Sequence, residues 1–223
     1  MLERLQQQLH DINRSEAGYD IRHFLVTDAR IARALSGGDT LTSSGETLLL
    51  REDTDGVALS LYLDEAILER LQAADPAAAL RSGRLDDLCK VIEGLSHFNY
   101  VAWRASRDRS VTLLELELQA EVDKFVSTMQ LARDERDAGL MDGLHGRLFD
   151  QARFHDHLSG RQLERYRAAS EYAARFCRAL GPRLRARSAD VLPELRRFYR
   201  MSLGDKISHI HARAWARGAT RSG

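Results

Sequence analysis

Four of the eight histidines stand in two H-x-H pairs, His155-Asp156-His157 and His209-Ile210-His211. Imidazoles two residues apart chelate a metal on a strand, where both point to one side. On a helix they diverge by about 200° and do not chelate. His209 and His211 sit in a helical pattern, so divergence is expected. His155 and His157 converge only if the chain is irregular there. No H-E-x-x-H, H-x-x-E-H or paired C-x-x-C spacing accompanies them. The expectation is rim histidines, with no metal and no cofactor.

Carboxylates are the second source of chemistry. The run LELELQAEVDK places Glu115, Glu117, Glu121 and Asp123 within nine residues. On a helix with its apolar stripe centred at Leu118, Glu115 and Glu121 fall about 60° to either side. Both should be half-buried, while Glu117 and Asp123 should point to solvent. A half-buried carboxylate needs a cation or donors. One solution is a general acid/base or metal–carboxylate pair completed by Glu93 and His97, one turn apart in the preceding helical pattern. That would make the chain an enzyme with a site between the 84–107 and 110–135 helices. The other solution is ion pairing with arginines, which is a structural role.

The segment SHFNYVAW gathers His97, Phe98, Tyr100 and Trp103. Such a cluster serves either as core and rim or as a binding groove, with Tyr100 and Trp103 as its lining. Of the 33 basic residues only Lys90, Lys124 and Lys206 are lysines. The arginine bias runs along the whole chain and fits a GC-rich bacterial genome. It is densest near the C-terminus, where Arg161, Arg165, Arg175 and Arg178 flank an apolar stripe, with Tyr166 and Tyr172 nearby. A basic helical face with aromatics is what phosphate-backbone binding uses. No helix-turn-helix, zinc-finger or RNP pattern accompanies it. No phosphate-cradling glycine loop, nucleophile elbow or activated cysteine is present.

The 33 acidic and 33 basic residues cancel overall, but not locally. Residues 1–140 hold 25 acidic and 16 basic side chains, and residues 141–223 hold 8 and 17, balances of −9 and +9. Such blocks attract each other or face different partners. Cys89 and Cys177 lie far apart in apolar helical patterns, as reduced thiols of a cytoplasmic protein would. The first residues lack the apolar stretch of a signal peptide, and no apolar run is long enough to span a membrane.

These groups must be held by a mostly helical frame. Residues 2–13 read as a short helix that Gly18 breaks. Thr47–Arg51 and Val57–Leu63 flank EDTDG, whose Asp55-Gly56 pair signals a hairpin. A hairpin needs a third strand or a helix to pack on, and residues 20–27 are the candidate strand. Everything after Asp64 reads as helix: 65–73, a short turn from Asp75-Pro76, 84–107, 110–135, and 159–180 ended by Gly181-Pro182. Asp190 then caps a helix through Tyr199, and a last helix follows Ser202. The Gly139–Gly146 stretch coincides with the charge switch and is the candidate boundary.

The expected fold is therefore α+β and predominantly helical. A small antiparallel β-hairpin or three-stranded sheet near the N-terminus packs on a helical body. Residues 1–140 form an acidic α+β region, and residues 141–223 a basic all-helical region packed on it as one domain. The first functional expectation is a non-catalytic intracellular interaction or adaptor protein, binding a protein partner or a second copy of itself. The alternative is a nucleic-acid-binding module using the arginine-rich C-terminal third, and the second alternative is the carboxylate/histidine enzyme.

Overall fold

The structure, a computed structural model, describes residues 1–15, 18–36, 45–53, 56–72, 75–151 and 159–219 of the 223. The fold is α+β and predominantly helical, with ten helices and one three-stranded mixed sheet among the described residues. It divides into two compact units, Met1–Val111 and Thr112–Gly223. The Gly139–Gly146 junction lies inside the second unit. The first unit holds 18 acidic and 13 basic side chains and the second 15 and 20, so their balances are −5 and +5.

In the first unit, Leu5, Leu9 and Ile12 form the buried side of α1 (Leu2–Asn13). The helix ends at Arg14, in the left-handed region with φ 49°, before Gly18 is reached. Three strands follow in chain order: β1 (Leu25–Val26), β2 (Glu46–Asp53) and β3 (Gly56–Leu63), arranged β1-β3-β2. The β2–β3 pair is the antiparallel hairpin, with Leu48 opposite Leu61 and Leu50 opposite Leu59. Gly56 enters the ladder opposite Asp53, while Asp55 lies outside the described residues. The 20–27 segment supplies the third strand, but only Leu25 and Val26 pair, in parallel with β3. Its preceding residues form a 3-10 turn, Ile21–His23, capped by the Asp20 side chain.

Helices cover both faces of this sheet. On one, Leu49 and Tyr62 pack with Ala32 of α2 (Ala29–Leu35), joined by Val26 and Ala29. On the other lies α5 (Leu85–Ala105), preceded by α3 (Glu65–Gln72) and α4 (Pro76–Arg81). Asp75 caps α4, with Pro76 at the first helical position, where its missing N–H costs nothing. Leu88, Ile92 and Leu95 of α5 are fully buried, and burial extends around the helix from Gly94 to Tyr100. Gly94 sits where α5 meets the sheet. A Cβ there would stand 2.9 Å from Cγ of Glu46 and 2.9 Å from Cδ1 of Leu61. The glycine permits this close approach at some cost in helix propensity.

In the second unit, α6 (Leu113–Asp134) opens at Thr112, whose Oγ1 accepts the Glu115 N–H at 3.2 Å. Leu118, Val122 and Phe125 are buried as the apolar stripe requires. Next come α7 (Ala138–His145), which continues as a π turn over Gly146–Asp150, and α8 (Gly160–Arg185). Ser159 and Gln162 form a capping box at the start of α8. The expected end at Gly181-Pro182 is not observed, because α8 runs on to Arg185. Pro182 stands on the exposed side near the helix end, where only one backbone hydrogen bond is forfeited.

α9 (Val191–Arg200) and α10 (Leu203–Ala219) complete the unit. Asp190 makes no side-chain cap for α9; it accepts from Arg183 at 2.5 Å instead. Phe176 of α8 stacks on Phe198 of α9 with ring centres 4.2 Å apart. The nearly buried Glu194 carboxylate gathers Arg183 (2.5 Å), His209 (3.0 Å) and Arg213 (2.6 Å), tying α8, α9 and α10 together. Among the described residues, no helix is long and apolar enough to cross a membrane.

Candidate functional site

Of the four candidate acid/base residues, Glu93 and His97 belong to α5 in the first unit. Glu115 and Glu121 belong to α6 in the second. His97 is buried, and its ring Nδ1 lies 3.3 Å from Oε1 of Glu46, with both side chains 8 % exposed. With Glu46 ionised, its carboxylate only accepts and the imidazole Nδ1–H is the donor. Glu93, half-buried one turn earlier, brings a carboxylate oxygen within 4.8 Å of a ring nitrogen of His97. Glu46 is a functional candidate that the sequence reading missed. It shares the strand parity of Leu48 and Leu50, so it faces α5, and the gap left by Gly94 accommodates it. A core-facing acid opposite a helix glycine was the available signal.

Tyr100 and Trp103 are interior residues, 0 % and 3 % exposed. The buried Arg104 donates to the Tyr100 hydroxyl at 3.3 Å and lies over its ring, and Arg107 stacks on Trp103 at 4.4 Å. The rings are clamped by cations rather than open as a groove.

Two of the four carboxylates of α6 depart from expectation. Glu117 and Asp123, expected in solvent, are 6 % and 2 % exposed, while Glu121 is half-buried as expected. The reason is that apolar residues do not mark all of the buried circumference of α6. Glu117 meets Arg165 of α8 at 3.7 Å. Asp123 accepts from Gln119 at 3.0 Å, and Gln119 in turn accepts from the fully buried Lys206 at 2.8 Å. Lys206 also lies 5.1 Å above the Phe198 ring. Glu115 is buried, and Glu121 takes Lys124 at 2.8 Å. Polar partners from α8 and α10 therefore permit burial where the periodicity indicated exposure.

The arginines separate into two sets. Arg165 is half-buried towards Glu117, with its guanidinium 5.2 Å from the Tyr166 ring centre. Arg161, Arg175 and Arg178 are exposed, and so are Arg167 and Arg185, which share their side of α8 at helical spacing. Arg175 reaches only Glu171 of its own helix, at 3.8 Å, and Arg185 reaches Asp142 at 2.6 Å. Among the described residues, Arg161, Arg167 and Arg178 have no ion pair. The face carries two acids, Glu164 and Glu171, against five arginines.

His209 and His211 diverge as a helix requires: His209 meets Glu194, while the exposed His211 lies edge-on to Tyr172. His155 and His157 lie outside the described residues. Cys89 and Cys177 are free thiols. Burial, followed by the Glu121 and Asp123 charges, pushes the Cys177 thiol well above its ordinary value, which makes it a poor nucleophile. No protein-family model, no curated protein and no solved structure matches this chain.

Proposed function

We propose that the chain is a non-catalytic binding protein whose second unit holds a nucleic-acid backbone along the exposed face of α8. The observation that carries this reading is the run Arg161, Arg167, Arg175, Arg178 and Arg185, spread over about 36 Å of helix at ~1.5 Å per residue. Arginines docked on the acidic helix would have met its carboxylates. Of the four expected to do so, only Arg165 meets one, Glu117. The pairs of Arg175 and Arg185 are surface pairs worth about 0–1 kcal/mol, which a phosphate can displace. Guanidinium groups bind phosphate bidentately, and neutralising three to four phosphates gives a salt slope of about −3 to −4 for duplex DNA. Contacts to the backbone alone carry no sequence preference. The reading places the protein in the cytoplasm, where two free thiols stay reduced.

Fluorescence anisotropy with a random duplex tests it: micromolar binding at low salt, falling linearly with log salt at that slope, is the expected result. Binding that ignores salt, or none at low salt, rejects it.

A second reading, a protein partner or a second copy at the hairpin of the first unit, is favoured by Leu50. This residue is 52 % exposed on the sheet face whose other end, Leu61 and Leu63, is fully buried. Among the described strands β2 is also an edge, a position open to pairing with another chain. Sedimentation velocity on the wild type and on Leu50→Glu separates the readings, since only the second makes assembly depend on this side chain.

A further inference from the structure

We propose that the α8 face prefers a single-stranded nucleic acid, one of whose bases stacks on an aromatic shelf formed by Tyr172 and His211. The inference rests on the reading of α8 as a phosphate-backbone face, and adds to it the class of strand. Tyr172 is half-buried on α8, and His211 of α10 lies edge-on to it, with ring centres 6.0 Å apart and planes at 88°. His211 is exposed, so its imidazole keeps ring surface open to solvent. The other imidazole of the H-x-H pair, His209, is held by Glu194 at 3.0 Å. Among the described residues, the partner of His211 is the Tyr172 ring alone.

The shelf stands among the arginines. Arg161 is eleven residues before Tyr172, three turns and about 16 Å along the helix, and Arg175 is three residues after it. Both are exposed and lie on the Tyr172 side of α8. The turn before Tyr172 carries Ala168 and Ala169, so no long side chain of that turn overhangs the ring. Phosphates held by Arg161 and Arg175 lead a strand past the two rings. Guanidinium groups take the phosphates of single and double strands alike, and ring surface is what tells them apart. Duplex bases are paired and stacked on one another, and taking one out costs free energy. Bases of a single strand offer free π faces, and stacking on an aromatic side chain strengthens binding with little regard to sequence.

The test is fluorescence anisotropy of the full chain with oligothymidylate, oligouridylate and a random duplex of equal length. It is run at about pH 8.5, above the range in which histidine titrates, so that His211→Ala removes ring surface and no charge. A single strand should bind the wild type about 5-fold or more tighter than the duplex, and the tighter of the two single strands tells DNA from RNA. His211→Ala should lose this preference, keep the duplex affinity and keep the slope against log salt, since no phosphate contact is removed. The side chain is exposed, and circular dichroism checks that the fold is kept. Single strands that bind no tighter than the duplex overturn the inference while leaving the phosphate-backbone reading in place. So does an unchanged single-strand affinity in His211→Ala. Absence of binding to all three probes at low salt overturns both.

Discussion

Replacing Gly94 by alanine adds one methyl group to the middle of α5, and two opposed effects set the outcome. Alanine favours the helix over glycine by about 1 kcal/mol. If the position were open, the variant would gain that amount. The position is closed: the new carbon would stand 2.9 Å from Cγ of Glu46 and 2.9 Å from Cδ1 of Leu61. Cγ is held in mid-chain between the β2 backbone and a carboxylate bonded to His97, so it cannot swing away as a free chain end could. Overpacking of this kind costs about 1–3 kcal/mol. If Glu46 retreats instead, a buried hydrogen bond to a charged group goes with it, at about 1.5–3 kcal/mol. After the helix gain is subtracted, a net loss of about 0.5–2 kcal/mol remains. Urea unfolding of the full chain, followed by circular dichroism, measures it. A variant as stable as the wild type, or more so, refutes the close approach of β2 to α5.

Phe125→Ala should cost about 3–5 kcal/mol, because the ring is 2 % exposed and packs near His145 and Phe149; a loss under 1 kcal/mol in the same assay refutes its core role. The half-buried Cys89 should react with a thiol reagent in the native protein and the fully buried Cys177 only after unfolding, so two equal native rates would contradict the placement. Hydrogen bonds from Arg22 and Arg30, each from the guanidinium first and then the backbone N–H, hold the Asp20 and Asp28 carboxyls down to about 2. A carboxyl depressed in the fold contributes stability that is complete above its ordinary value of about 4 and is lost as pH falls through the folded value. Asp20→Asn with Asp28→Asn should therefore flatten the fall of the unfolding temperature between about pH 4 and pH 2, and an unchanged slope counts against both pairs.

Regular elements were legible where one local rule governed them. Leu88, Ile92 and Leu95 marked α5, Ser159 with Gln162 marked the start of α8, and alternation in residues 57–63 marked β3. What escaped depended on contacts between distant segments. The parallel register of Leu25 on Leu61 cannot be read from either segment, because a two-residue strand has no periodicity of its own. Periodicity also misplaced Glu117 and Asp123, since it counts only apolar side chains. Their burial depends on Arg165 of α8 and, through Gln119, on Lys206 of α10, more than 40 and 80 residues away along the chain. Part of the buried Glu/His cluster was visible as Glu93 and His97 on one helix. Glu46, 51 residues from His97, was hidden inside a strand whose other residues explained themselves as core.

The most direct measurement of the central claim is the salt dependence of duplex binding by the Arg161→Glu/Arg178→Glu variant, beside wild type and a control reversal at the exposed Arg51 of the first unit. Both reversals on α8 fall on exposed side chains without an ion pair among the described residues, so the fold should survive them. If α8 holds the phosphate backbone, the variant binds more weakly at low salt and its slope against log salt falls by about two, one for each contact removed, while Arg51→Glu binds as wild type does. Equal affinities and equal slopes in all three proteins would contradict the claim.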